Sequence, residues 1–259
     1  MAADAILDRE SADRAHVVVA LSGAHAYGFP SPDNDLDLKA VHVAPTEHFL
    51  GLAKAEREHN LIEVVHGVEV DYTSNELGGV VQGLLDGNGN YLERVLGSHL
   101  LRRDARHAEL AELAKLALSR RYLRHYRGFA LNQLHRVQRS ERPAAKQVLY
   151  VLRTALTGTH LMRSGELVVD VNLLLDDYGY ADAEELIAAK REGENMVLAA
   201  PVKAAWLDRL DDAVAGLDEA ESSSPLPLEV NAGPFEAWLV RIRRAAMFED
   251  ESGIGVWSR

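Results

Sequence analysis

Apolar residues follow two different rhythms along this chain. Up to about residue 73 they come in short runs and alternations, and beyond residue 105 they recur every three or four positions. His16-Val17-Val18-Val19-Ala20-Leu21 predicts a buried strand that stops at Ser22-Gly23. Gly28, Pro30 and Pro32 then force a tight excursion, after which Leu36 to Val43 resumes the alternation of a strand. Leu61 to Val65 and Glu69 to Tyr72, separated by His66-Gly67, predict a hairpin. Residues 1 to 14 read as a leading helix, and Leu77, Val80, Val81, Leu84 and Leu85 keep helical spacing within a segment, 74 to 100, that closes a first lobe.

The second rhythm is helical. One run reaches Leu118, a second passes through Leu131 to Leu134, and a third covers Ala144 to Met162. Acidic helices follow over 176 to 220, Ser222 to Pro227 reads as a loop, and Phe235 to Met247 as a last amphipathic helix. The tail from Asp250 to Arg259 is expected to be loosely held. The expected fold class is α+β: a small mixed β-sheet with flanking helices over residues 1–104, then a mainly helical lobe over residues 105–259. No internal repeat is visible.

At 259 residues and 47% hydrophobic, the chain is large enough for a substantial core. It has no cysteine, so disulfides and thiolate zinc sites are excluded. No apolar run approaches the length of a membrane span, and Met1-Ala2-Ala3-Asp4-Ala5 lacks the basic start of a signal peptide, so a cytoplasmic location is expected. The net charge of −12 argues against a general nucleic-acid coat. The charge is unevenly spread, however, because Arg102 to Arg163 holds fourteen Lys and Arg against four Asp and Glu. Such a block is either a solvated helical face or a patch for phosphates.

The candidate chemistry lies where the first rhythm breaks. Asp35 and Asp37 stand two apart, so on a strand they share a face while Leu36 and Leu38 turn away. Paired carboxylates repel each other unless a cation lies between them, and Mg²⁺, or Mn²⁺ in its place, suits such a site because it takes one or two carboxylates together with phosphate oxygens. Alone, such a pair more often marks a solvated strand edge or turn. Asp71, on the second arm of the predicted hairpin, supplies a third carboxylate, the number that two-metal nucleotidyl transfer uses. In the helical lobe, Arg120, Arg124 and Arg127 share a face, with Tyr122 and Tyr126 beside them. Lys146, Tyr150 and Arg153 repeat the arrangement on the next helix. The histidines show no metal-ligand spacing, and His25 stands in the loop itself.

Leu21-Ser22-Gly23-Ala24, a spacer over residues 25 to 34 and Asp35-Leu36-Asp37 resemble the signature of the DNA polymerase beta-like nucleotidyltransferases: a hydrophobic residue, Gly, then Gly or Ser, about ten residues, and Asp-x-Asp. His25-Ala26-Tyr27-Gly28 is similar to the loop of a branch of stand-alone bacterial predicted nucleotidyltransferases, and Asn88-Gly89-Asn90-Tyr91-Leu92-Glu93 to an element that follows that branch's third acid. Two positions depart from the branch: Ala24 replaces a loop serine, and Asn34 replaces the serine ahead of the first Asp.

The resemblance covers roughly residues 15 to 160; it makes the first lobe, residues 1–104, a nucleotidyltransferase core and implies transfer of a nucleoside monophosphate from an NTP to a hydroxyl, with pyrophosphate leaving. It implies Asp35, Asp37 and Asp71 as catalytic metal ligands, and Ser22, Gly23, Ala24 and Tyr27 at the nucleotide. Lys146 and Arg153 are expected on its phosphates. The acceptor is left open among RNA, a small molecule and a protein, as is the oligomeric state. Two other readings keep the same fold: a non-catalytic nucleotide- or RNA-binding module, and an antitoxin-like protein that modifies a protein side chain.

Overall fold

The computed structural model describes residues 2–52, 54–193 and 196–249. Helix α1 (Ala2–Asp13) leads into β1 (Ala15–Leu21), a one-turn helix α2 (Gly23–Tyr27) and β2 (Leu36–Val43). A short α3 (Glu47–Leu50) precedes the hairpin of β3 (Glu58–Val65) and β4 (Val68–Glu76), whose turn places His66 and Gly67 at φ of 51° and 80°. Paired positive φ values are what a two-residue turn with the twist of a hairpin requires. Helices α4 (Leu77–Leu85) and α5 (Gly89–Leu96) follow, then a strand β5 (Leu100–Arg103).

The sheet runs β3-β4-β2-β1-β5, with β2 and β4 parallel and the other pairs antiparallel. It is mixed, as the sequence pattern predicts. One face carries Val19, Leu38, Ala40, Val70 and Tyr72 against Ile6 and Leu7 of α1. The opposite face is covered by α4 and α5 at its centre and holds the carboxylates.

Two features differ from the expectation over 74 to 100. Asp86-Gly87-Asn88 breaks the helix in two, with Gly87 at φ 77°, backed against the Arg121 and Tyr122 backbone, where a side chain would collide. Leu100-Leu101-Arg102-Arg103 is a strand because β1 offers it an edge; four residues are too few for a period to show.

The rest is helical, as expected: α6 (Arg106–Leu116), α7 (Tyr122–Arg139), α8 (Ala145–Ser164), a 3-10 turn at Val171–Leu173, α9 (Ala183–Glu192), α10 (Ala200–Ser222) and α11 (Gly233–Glu249). Helix α8 is the hub, buried along most of its length between α7, α9 and α10. Helix α11 returns to the sheet region, where the Arg243 guanidinium pairs with Glu76 at the end of β4, and its Trp238 indole donates to Glu109 of α6. One continuous apolar core therefore runs from Val17 to Ile242. The expectation for the tail from Asp250 onward concerns residues outside those described.

Candidate active site

The acidic site is built by strand register. Asp37 on β2 lies directly opposite Asp71 on its parallel neighbour β4, so the two side chains leave the sheet on one face. Asp35 lies just ahead of β2 and within electrostatic reach of Asp37. Lys39, two residues beyond Asp37 on the same face, places Nζ 3.1 Å from Asp71 Oδ1 and 3.6 Å from Asp37 Oδ1. Burial pushes the Asp37 carboxyl up to about 6; Lys39 opposes that rise, and the charges of Asp35 and Asp71 add to it.

The raised Asp37 carboxyl also bears on stability. A carboxyl raised in the folded state favours folding when protonated, and that contribution is lost as pH climbs from about 4 through about 6. In EDTA at pH 7.5, Asp37→Asn should therefore unfold at higher urea than wild type, by on the order of 1 to 3 kcal/mol, with the gap closing at pH 4. A constant gap across that range would contradict the assignment of strain to this carboxyl.

The carboxylate oxygens are hard donors and fit Mg²⁺. Among the described residues no three ligating side chains meet closely enough to enclose an ion unaided.

Gly23 starts the loop at φ 63° with its Cα against Asp37: a Cβ there would lie 1.9 Å from Asp37 Oδ2. Only glycine meets both conditions. Ala24 is buried and contributes packing where the related branch has a hydroxyl. Ser22 heads α2, and its hydroxyl lies 3.3 Å from the Tyr27 hydroxyl. Gly28 closes α2 at φ 93° beneath Asp170 and Asn172, whose side-chain amide donates to the Gly28 carbonyl at 2.8 Å. Asn34, the second departure, staples the turn: its Oδ1 accepts from the Ser31 amide at 2.8 Å and from Lys190 Nζ at 2.9 Å.

Lys190, from α9, is fully buried and also donates to the Ser31 hydroxyl at 2.5 Å. Sequence reasoning missed this residue, because a lysine in an acidic helix reads as surface. It anchors the segment that delivers Asp35.

Tyr27 belongs to a second cluster. Its ring lies 3.5 Å beneath the Arg153 guanidinium, which pairs with Glu93 of α5; Glu93 also accepts from the Tyr27 hydroxyl at 3.4 Å and the Tyr126 hydroxyl at 3.1 Å. Burial works against the Arg153 charge, but Glu93 together with Tyr27 and Tyr126 outweighs it and the guanidinium is held above its ordinary range. The expectation that Arg153 faces phosphates differs from this placement: only 5% exposed, it braces the loop from the helical lobe. Lys146 is half-buried two turns earlier on α8.

A cleft of about 180 Å³ opens beside the loop, lined by Ser22, Tyr27, Lys39, Asn90, Glu93 and His99 among others. It joins the loop and the Asn88 to Glu93 element that the sequence singled out, and touches β2 through Lys39. The basic block is in large part paired: Arg102 with Asp8, Arg106 with Asp104, Arg127 with Asp218, while Arg120 donates to the Ser224 and Leu226 carbonyls. Arg124, Arg136, Arg139 and Arg142 are exposed.

A mixed sheet with paired acids facing a glycine loop is the arrangement of a polymerase beta-type nucleotidyltransferase core. Residues 4–239 match the model of RlaP, the RNA repair pathway DNA polymerase beta family, and the chain belongs to that family. Membership supports a general nucleotidyltransferase role. The chain is also similar to an uncharacterized protein of Methanocaldococcus jannaschii, 28% identical over 155 residues, which are 60% of this chain and 63% of that protein. It thus spans less than two thirds of that relative's length. Among solved structures, a nucleotidyltransferase-like protein from Exiguobacterium sibiricum is similar at 11% identity and a TM-score of 0.34, over 94% of this chain and 79% of that one. Among the described residues no helix is long and apolar enough to cross a membrane.

Proposed function

We propose that the protein transfers a nucleoside monophosphate from an NTP to a hydroxyl of RNA. The observation that carries this reading is the Asp37–Asp71 register, with Asp35 two residues ahead of Asp37 and Gly23 pressed against Asp37. Asp35 and Asp37 would be shared by two divalent ions, and Asp71 would complete the ligands of the ion that meets the attacking hydroxyl. When bound, Mg²⁺ offsets phosphate charge and lowers the pKa of a hydroxyl that it touches. The acceptor oxygen forms a bond to the α-phosphorus as the bond to the bridging β-oxygen breaks, pyrophosphate leaves, and the hydroxyl proton passes to water. Loop amides around Gly23 and the hydroxyl of Ser22 orient the phosphates, and the Tyr27–Arg153–Glu93 cluster fixes that loop.

RNA is favoured as acceptor by the family's description and by the exposed arginines at 124, 136, 139 and 142. The buried methyl of Ala24 favours a second reading, a binding module without catalysis. Incubating the protein with α-labelled NTP, Mg²⁺ and either total RNA or total protein separates these. Label is expected in RNA. Label confined to protein would move the acceptor to a side chain, and metal-dependent NTP binding with no label in either would leave the binding module.

A further inference from the structure

Lys39 occupies the space that a cation between Asp37 and Asp71 would need. Its Nζ is held by both carboxylates and lies 3.4 Å from Thr73 Oγ1, and the side chain is only 21% exposed. An ammonium and a dication cannot share that position, since like charges this close in a half-buried site repel strongly. Lysine nevertheless has somewhere to go. It lines the 180 Å³ cleft with Ser22 and Tyr27, its stem is flexible, and its three donors rotate.

We propose that Lys39 is a built-in counter-ion that couples metal entry to nucleotide entry. Without nucleotide it neutralises part of the acidic site and competes with free divalent ion. When an NTP enters the cleft, its phosphates give the ammonium a new partner, Lys39 leaves Asp37 and Asp71, and the ion takes its place. The two ligands thereby favour each other by a factor that must be the same in both directions. The inference rests on the reading of Asp35, Asp37 and Asp71 as the metal site.

Mn²⁺ binding, followed by the paramagnetic signal of the free ion, tests both levels. Without nucleotide, Lys39→Met should bind Mn²⁺ on the order of tenfold more tightly than wild type, and Lys39→Arg should not. A non-hydrolysable NTP analogue should raise Mn²⁺ affinity in wild type and raise it far less in Lys39→Met. Equal Mn²⁺ affinity in wild type and Lys39→Met, alongside weakened binding in Asp37→Asn, would overturn the counter-ion role alone. Unchanged affinity in Asp37→Asn would overturn the metal site itself. Matching circular dichroism across the variants keeps each comparison between folded proteins.

Discussion

Asp35→Asn and Asp37→Asn should each lower nucleotidyl transfer by at least about 10³-fold, or roughly 4 kcal/mol of transition-state stabilisation. Each removes a full charge from the group expected to hold the ion and changes side-chain volume hardly at all. The fold should survive, because Asp37 contributes repulsion and a desolvated carboxyl to the metal-free protein, and both are relieved by the amide. Asp71→Asn should lose turnover more than NTP affinity, since its position on β4 is assigned to the acceptor hydroxyl. Steady-state rates at matched, saturating Mg²⁺ check all three. Near-normal turnover in Asp37→Asn would remove the acidic site from the reaction.

The second large effect is on stability. Arg153→Met should destabilise the protein by about 3 to 5 kcal/mol, the cost of leaving a buried charge without its partner. Glu93 would remain with the hydroxyls of Tyr27 and Tyr126 and no cation, and the Tyr27 ring would lose the guanidinium stacked on it. Adding Glu93→Gln to Arg153→Met should recover much of the loss, because the pair is removed together. Arg153→Lys should recover less, since a lysine keeps the charge but neither the flat stack nor the forked donor. Urea unfolding of the four proteins gives these values. A loss below about 1 kcal/mol for Arg153→Met would place the pair among exposed ion pairs of little worth.

The sheet strands at the acidic site were legible because their information is local. Val17 to Leu21 and Leu36 to Val43 read as strands and His66-Gly67 marks the hairpin, while Asp35, expected on the strand with Asp37, falls just ahead of β2. Once both strands are granted, Asp71 needs only the register of β2 on β4. What stayed hidden depends on distant parts of the chain. Arg153 reads as one side of a basic helical face, and nothing near it announces Glu93, sixty residues earlier, as its partner. Lys190 is buried because α9 packs against α8 and meets the Ser31 to Asn34 turn, a contact no local pattern encodes. Residues 165 to 175 have no period, yet Asp170 and Asn172 close over Gly28. The departure at Asn34 has a structural answer in its bonds to Ser31 and Lys190, whereas Ala24 has only its burial.

The reaction itself is decided by following two labels at once. RNA with a free 3′-hydroxyl is incubated with the protein, Mg²⁺ and NTP labelled at either the α- or the γ-phosphate. The expected result is α-label joined to RNA and γ-label recovered as pyrophosphate, in equal amounts and abolished by Asp37→Asn. Label from the γ-phosphate in RNA or in free orthophosphate would contradict transfer at the α-phosphorus, because the bond broken would then lie between the β- and γ-phosphates.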